Sequence, residues 1–584
     1  MRTKWKTAYL STSAALNAIS KAQVVQLLWT SDVLHPRPYT LGPDGPWQAV
    51  TLGIGETPTG SMGPGRFGTD LWPTDGHDTY IVANTTDGEN ALEDSPSATE
   101  LQFYSGPPPE WFVYNTSTAQ SWDAYGYVES ILLQPLVSRP ITLNRTILVM
   151  NNSVFTGADG RAFPNRVGVL GLGPNSRNNP DHDPSILEDL KTSKNITSIS
   201  FGMHMGSAQH NQTGSLVLGG YEKNRALGHT GIFKVDDSGL GGVFLVDVLL
   251  GTQVGRSPYN QSAIGSIYQG IGNNSYAADL VKSLGGRPGS ALALPSPSVP
   301  YIYLPPGTCE TASQYLPVTW NESLELYVWN QSDPRYSTIV KSSAYMALVF
   351  ADSNAQNLTI KVPFQLLNLT LLPPLVDNAR PYFPCKPLYS PSGTWPLGRA
   401  FLQAAFYGAN HDTQTLFMAQ APGPNMQQRV LKTINENDTS ISTNSVDWFE
   451  ESWSGYWTVH DDPSEMGPTP IPTPPPVPQS GISAGAKAGI AVGSILGGLG
   501  ISGAVFLLWR RARNKRTITN ENQAGDLIDL SSGSLQDGPK AIQELDASRI
   551  ALDKSDPLPH EMMAPNVVHE APDEPSYHEL PGQG

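Results

Sequence analysis

Residues 71–82 read LWPTDGHDTYIV and gather groups suited to acid–base chemistry: Asp75, His77 and Asp78 within four residues, beside the hydroxyl of Thr74. Two carboxyls in contact cannot both ionise, so such a pair holds a proton that one member gives while the other accepts. On paper, His77 with Asp75 or Asp78 and the distant Ser296 also form a nucleophilic triad, but the setting of His77 reads as a solvated loop. The one Gly-x-Ser-x-Gly match, Gly481 to Gly485, falls in a Pro-rich stretch and not between a strand and a helix, so no nucleophile elbow is expected. The 11 histidines are scattered, and His204 and His210 lack metal-ligand spacing, so no metal is expected. RVGVLGLG (166–173) superficially resembles a nucleotide loop, yet no helix or lysine follows it, and no cofactor is expected.

The elements that must position these residues are strands. The 584-residue chain is 39% apolar and only 15% charged, with 55 Gly and 51 Pro, a balance that favours an all-β or turn-rich secreted protein over a helical one. The net charge of −16 lacks the basic footprint that phosphate binding needs and argues against nucleic acid. Residues 45–58 alternate as a strand that ends on a turn, and short β-like runs follow at 127–133 and 141–150. The glycines in 166–173 and 214–221 mark places where another backbone can approach closely. A second half begins near residue 231. It holds strands at 243–250 and within 292–304, a polar loop at 252–277, a helix at 310–315, a strand turning into a short helix at 395–406 and a closing strand at 414–420.

The two ends place the chain in the secretory route. Residues 1–22 have a basic start, a mildly apolar middle and a small residue before a cut after Ala22, the layout of a signal peptide. Residues 488–509, AGIAVGSILGGLGISGAVFLLW, are uncharged and as a helix reach about 33 Å, enough to span a bilayer. Arg510, Arg511, Arg513, Lys515 and Arg516 follow, which puts that side in the cytoplasm. Gly489, Gly493 and Gly497, spaced by four, offer a close-approach face for a homodimer through the span. Asn-x-Ser/Thr sequons fall at Asn84, Asn115, Asn144, Asn151, Asn195, Asn211, Asn260, Asn273, Asn321, Asn330, Asn357, Asn368 and Asn437, and none lies after Trp509. The expectation is a type I single-pass glycoprotein at the plasma membrane or cell surface, with vacuolar or endosomal membranes as alternatives. Residues 463–487 are a Pro-rich stalk. Residues 510–584 form a cytoplasmic tail whose acidic, aromatic-poor stretch is expected to be disordered, and Tyr577-His578-Glu579-Leu580 within it resembles a sorting signal. Cys309 and Cys385 are the only cysteines. They either form one bridge closing a loop of roughly 75 residues, worth about 4–5 kcal/mol on the chain-entropy model, or stay as buried thiols; the lumenal topology selects the bridge.

Taken together, these landmarks resemble the pepsin-like (A1) aspartic peptidases, most closely their membrane-anchored fungal branch, over roughly residues 40–425. Residues 45–58 are similar to the family's first strand and turn, VGVLGLG (167–173) to its "GILGLG" segment, 214–221 to "GxLxxGG", and LGRAFL (397–402) to the segment that closes the second lobe. PYIYLP (300–305) with Cys309 and Cys385 resembles the second-lobe strand and disulfide of the fungal group. The resemblance implies a mainly β, bilobal acid-protease fold, plus one C-terminal transmembrane helix and a disordered tail. Its first lobe would span 40–230, its second 231–425, and the membrane-proximal end 426–462.

That family works with one aspartate from each lobe, each in a D-[TS]-G-type turn. Aligned without gaps on the first-lobe motif, Thr74 takes the aspartate's place and Asp75 the threonine's. In the second lobe, Ser296 of PSPSVP (295–300) takes the other. A one-residue slip would return Asp75 to the first site but would reverse its side chain in an extended segment. No slip rescues the second site: the nearest acids are Asp279 upstream and Glu310 downstream. A flap motif is also missing, with Tyr125-Gly126-Tyr127 a poor candidate. The expected function is binding, of a peptide or protein ligand in the interlobe cleft or at the outer surface, without catalysis. The alternatives are an active aspartic endopeptidase with an atypical site, using Asp75, and a structural or sensor-like surface protein acting through its tail.

Overall fold

The short apolar runs of the sequence pair into sheets, and the described part of the protein is mainly β. The structure is a computed structural model that describes residues 24–32, 41–55, 67–82, 99–104, 119–133, 135–136, 140–156, 159–174, 184–235, 242–259, 264–390, 392–443 and 447–459. The expected leader (1–22), stalk (463–487), span (488–509) and tail (510–584) lie outside the described residues, as do Asn84, Asn115 and Asn260. Among the described residues no helix is long and apolar enough to cross a membrane.

Two sheets share one internal plan. In the first, Phe67–Thr74 runs parallel to Gly168–Gly171, and Tyr80–Val82 pairs with that same strand antiparallel on its other side. In the second, Ala291–Pro295 runs parallel to Thr394–Leu397, and Ile302–Leu304 pairs with it antiparallel. Each sheet thus grips a strand between the two arms of one loop. The first sheet carries a long hairpin, Ala119–Leu133 with Ile141–Thr156, longer at both strands than the apolar runs alone suggest. The run before it, Thr99–Tyr104, pairs with Ala119–Leu133 and sets Tyr125 opposite Phe103. The connection at 105–118 lies outside the described residues.

A six-stranded sheet joins the halves. It contains the hairpin Ser200–His204/Ser215–Leu218 with Val25–Gln26 on its edge, and the hairpin Ala405–Asn410/Thr415–Gln420 with Leu227–Lys234 on its edge. The seam is the antiparallel pairing of Ser200–His204 with Ala405–Asn410. Leu227–Lys234 therefore sits on the edge of the second hairpin as Val25–Gln26 sits on the edge of the first. Past residue 425 the chain stays bound to this framework: Leu431–Thr433 pairs with Gly220–Glu222, and Trp448, Phe449 and Trp453 are buried in the core.

Helices are few and short, and several start where a side chain supplies the missing acceptor. Ser185 and Glu188 form a capping box on Ile186–Thr192, and Asn274 caps Ser275–Ser283 within the stretch read as polar loop. Pro306–Tyr315 starts four residues before the expected 310, because Pro306 stands at its start, where a proline loses no intrahelical bond. Cys309 on this helix is disulfide-bonded to Cys385, with Cα atoms 5.8 Å apart, as expected. The bridge fits an oxidising environment.

Candidate functional site

The matching registers of the two sheets fix which residues are equivalent. In the first, Pro73 lies opposite Leu170; in the second, Pro295 lies opposite Leu397. The next residue in each arm is Thr74 and Ser296. The next residue on each gripped strand is glycine, Gly171 and Gly398. A Cβ on Gly171 would overlap the carbonyl oxygen of His77, three residues beyond Thr74. A Cβ on Gly398 would overlap that of Val299, three residues beyond Ser296. Both loops therefore fold back onto their glycines in the same way, a close backbone approach that the sequence pattern predicts at Gly171 and does not signal at Gly398. Gly173 is pressed likewise by the carbonyl of Asp75.

Thr74 and Ser296 are both half-buried, and each hydroxyl is engaged from two residues ahead in its own loop. The Gly76 amide lies 3.4 Å from Thr74 Oγ1, and the Ser298 and Ser296 hydroxyls are 2.8 Å apart. The Leu172 amide donates to the Thr74 carbonyl at 2.9 Å, and the Ser296 amide to the Leu397 carbonyl at 3.0 Å, which holds both loop roots rigid. Neither hydroxyl titrates in the acid or neutral range, so these two positions hold hydrogen bonds but cannot share a catalytic proton.

Asp75 faces elsewhere. Its carboxylate accepts a hydrogen bond from the hydroxyl of Tyr407, which lies on the seam strand Ala405–Asn410 and is itself buried. Surrounding protein desolvates the Asp75 carboxyl and raises its pKa from an ordinary 3.8 to about 6, while the Tyr407 bond pulls the other way. The residue nonetheless keeps solvent access. Burial and the neighbouring Asp75 charge together push the Tyr407 phenol well above its ordinary range, so Tyr407 acts as a donor at all ordinary pH values.

The remaining sequence candidates do not converge. His77 Nδ1 lies 2.9 Å from Asp78 Oδ1 in the exposed loop, while Ser296 is bonded within its own loop, so no triad is assembled. His204 is buried, with Nε2 2.8 Å from the Gln403 carbonyl and Nδ1 3.1 Å from Arg225; burial, then the Arg225 charge, lower its pKa to about 3 and keep it neutral. Among the described residues no three acidic, histidine or cysteine side chains gather as a metal site.

Sequence reasoning passes over the most unusual residue of the site. Arg399, the one charge in LGRAFL, is only 4% exposed. Its Nη1 donates to the carbonyls of Pro297 and Ser298 at 2.9 and 3.0 Å, so it ties the gripped strand to the loop that follows Ser296. The guanidinium lies 4.0 Å from the Trp72 ring centre and 4.9 Å from that of Trp47, within cation–π range of both. The available signal is a lone arginine in an apolar segment, since such a charge needs partners wherever it is buried.

No known protein-family profile matches this sequence, and no curated protein is similar to it. Among solved structures, an aspartic proteinase from Irpex lacteus is similar at 13% sequence identity with a TM-score of 0.42, over 64% of this chain and 94% of that one. A likeness at that level is too distant to assign a function.

Proposed function

We propose that this chain is a single-pass membrane glycoprotein whose lumenal or extracellular part has a two-lobed, pepsin-like fold and acts by binding, without peptide hydrolysis. One observation carries the reading: the two symmetry-related loop positions where such a fold would present its aspartates hold Thr74 and Ser296, each hydrogen-bonded within its own loop. The interlobe cleft then remains as a shaped surface for a peptide or protein segment while the acid–base pair is gone. The glycoprotein part is supported by the sequon asparagines whose exposure is described (Asn144, Asn195, Asn211, Asn273, Asn321, Asn330, Asn357, Asn368 and Asn437), none of which is buried.

A second reading is favoured by one feature. Asp75, with its raised pKa and its Tyr407 donor, is a carboxyl poised between its two protonation states near pH 6, and it would be the acid–base group of an atypical endopeptidase. The test is incubation of the full-length protein with an unfolded protein across pH 3–7, with and without a transition-state-mimicking aspartic protease inhibitor, beside Asp75→Asn. Binding without cleavage supports the first reading. Inhibitor-sensitive cleavage that disappears in Asp75→Asn supports the second.

A further inference from the structure

A cavity of about 240 Å³ lies between the two halves, with Trp72, Phe163 and Val167 on one wall and Val299, Pro374 and Arg399 on the other. None of Thr74, Asp75 or Ser296 lines it, so a molecule held there does not depend on the groups at the dyad positions.

Arg399 is the reason to regard this space as a site. A buried guanidinium ordinarily has a carboxylate in contact with it, because an unpaired charge away from water is strongly penalised. Among the described residues, no carboxylate lies within ion-pair distance of Arg399. Asp44, also on the cavity lining, attracts it only from beyond that range and spends its Oδ1 on the Trp47 indole at 2.8 Å. The Nη1 group is taken by two backbone carbonyls and Nε is enclosed by protein, so the donor left for a ligand is Nη2, which has no hydrogen-bond partner among the described residues. The flanking Trp47 and Trp72 rings hold the guanidinium plane in place while offering it no anion.

A fixed, desolvated guanidinium with an unused N–H donor beside a largely apolar cavity has the chemistry of a carboxylate receptor, since a charge-assisted hydrogen bond to a carboxylate satisfies both its charge and its donor. The rest of the wall is mostly Pro, Phe, Val and Leu, which suits a short apolar body, with Asp44, Asn165, Arg166 and Ser298 as its other polar groups. The volume admits a small acid or one terminal residue, not an extended peptide. We propose that this cavity binds a monocarboxylate on a short apolar body, with its carboxylate on Arg399. The same chemistry is presented by a free short-chain acid and by a peptide's C-terminal residue.

The test uses the full-length protein. Thermal unfolding and tryptophan fluorescence are followed during titration with acetate, butyrate and hexanoate, each against its primary amide, and with a peptide ending in Ala-Leu as free acid and as amide. Trp47 and Trp72 flank the guanidinium, so occupancy reaches the fluorescence directly. The expected result is saturable binding of the acids, at least tenfold weaker binding of the amides, and at least tenfold weakening of the acids in Arg399→Lys, which keeps the charge but loses the fork. Leu41→Trp, at a half-buried position on the rim, fills the cavity without touching Arg399 and is expected to abolish binding even if Arg399→Lys fails to fold. Preference for the hexanoate series assigns a free acid, and preference for the free-acid peptide assigns a chain terminus; either supports the proposal. Equal response to acids and amides, or acid binding undiminished in Leu41→Trp, overturns it.

Discussion

Replacing Asp75 by Asn isolates the one perturbed carboxyl near the site. In the folded chain its pKa stands at about 6 against an ordinary 3.8, with burial as the main cause. Between those values the folded state binds more proton than the unfolded state, so stability falls as pH rises. The contribution of the protonated form is fully present below about pH 4 and lost above about pH 6. A shift of this size in a dry site would correspond to roughly 3 kcal/mol. Asp75 keeps contact with water, and screening reduces the expected figure to about 1 kcal/mol. Asn fills the same volume and still accepts from Tyr407, but it carries no charge. The variant should therefore match the parent at pH 4 and exceed it by about 1 kcal/mol at pH 8. Urea unfolding of both proteins at several pH values, read from the midpoints, measures this. A constant offset across pH 4–8, or a loss of stability at pH 8, would refute the assignment of Asp75 as a desolvated carboxyl.

The same geometry sets other expectations. Tyr407→Phe removes the donor that holds the Asp75 pKa down, so the pH at which stability changes should move upward from about 6, visible as a displaced transition in the stability–pH profile. Cys309→Ser opens a bridge with a sequence separation of 76 and should cost about 4–5 kcal/mol by chain entropy, read as a lower denaturation midpoint. Gly171→Ala and Gly398→Ala each drive a Cβ into a loop carbonyl. Both should destabilise by about 3 kcal/mol or more, and a near-neutral result at either would show that the two loops are not packed alike.

Much of the fold is legible in the sequence, for identifiable reasons. Gly171 and Gly173 signal close backbone approach in the sequence and each sits beneath a loop carbonyl, as does Gly398, which its own segment does not single out. The β-like runs at 127–133 and 141–150 mark the part of the long hairpin next to its turn, while the pairing continues through 119–126 and 151–156, which no apolar run announces. Helices at Ser275–Ser283 and Pro334–Lys341 escape a reading by pattern, though Asn274 and Asp333 are good caps, because each is too short for its periodicity to stand out. The site is legible where it is local. Thr74 and Ser296 are each bonded within their own short segments. The bond from Tyr407 to Asp75 spans 332 residues, and the Arg399 stack on Trp47 likewise joins segments far apart in the sequence. Contacts of that range leave no mark in any one stretch of sequence.

Whether the cleft binds without cutting, as proposed, is measured by mass-spectrometric detection of new peptide ends after long incubation of the full-length protein with an unfolded protein at pH 3–7, with and without the transition-state mimic. A protein that binds without hydrolysis yields no ends that depend on it and vanish with the inhibitor at any pH. New ends that appear at acid pH and disappear with the inhibitor would contradict the proposal.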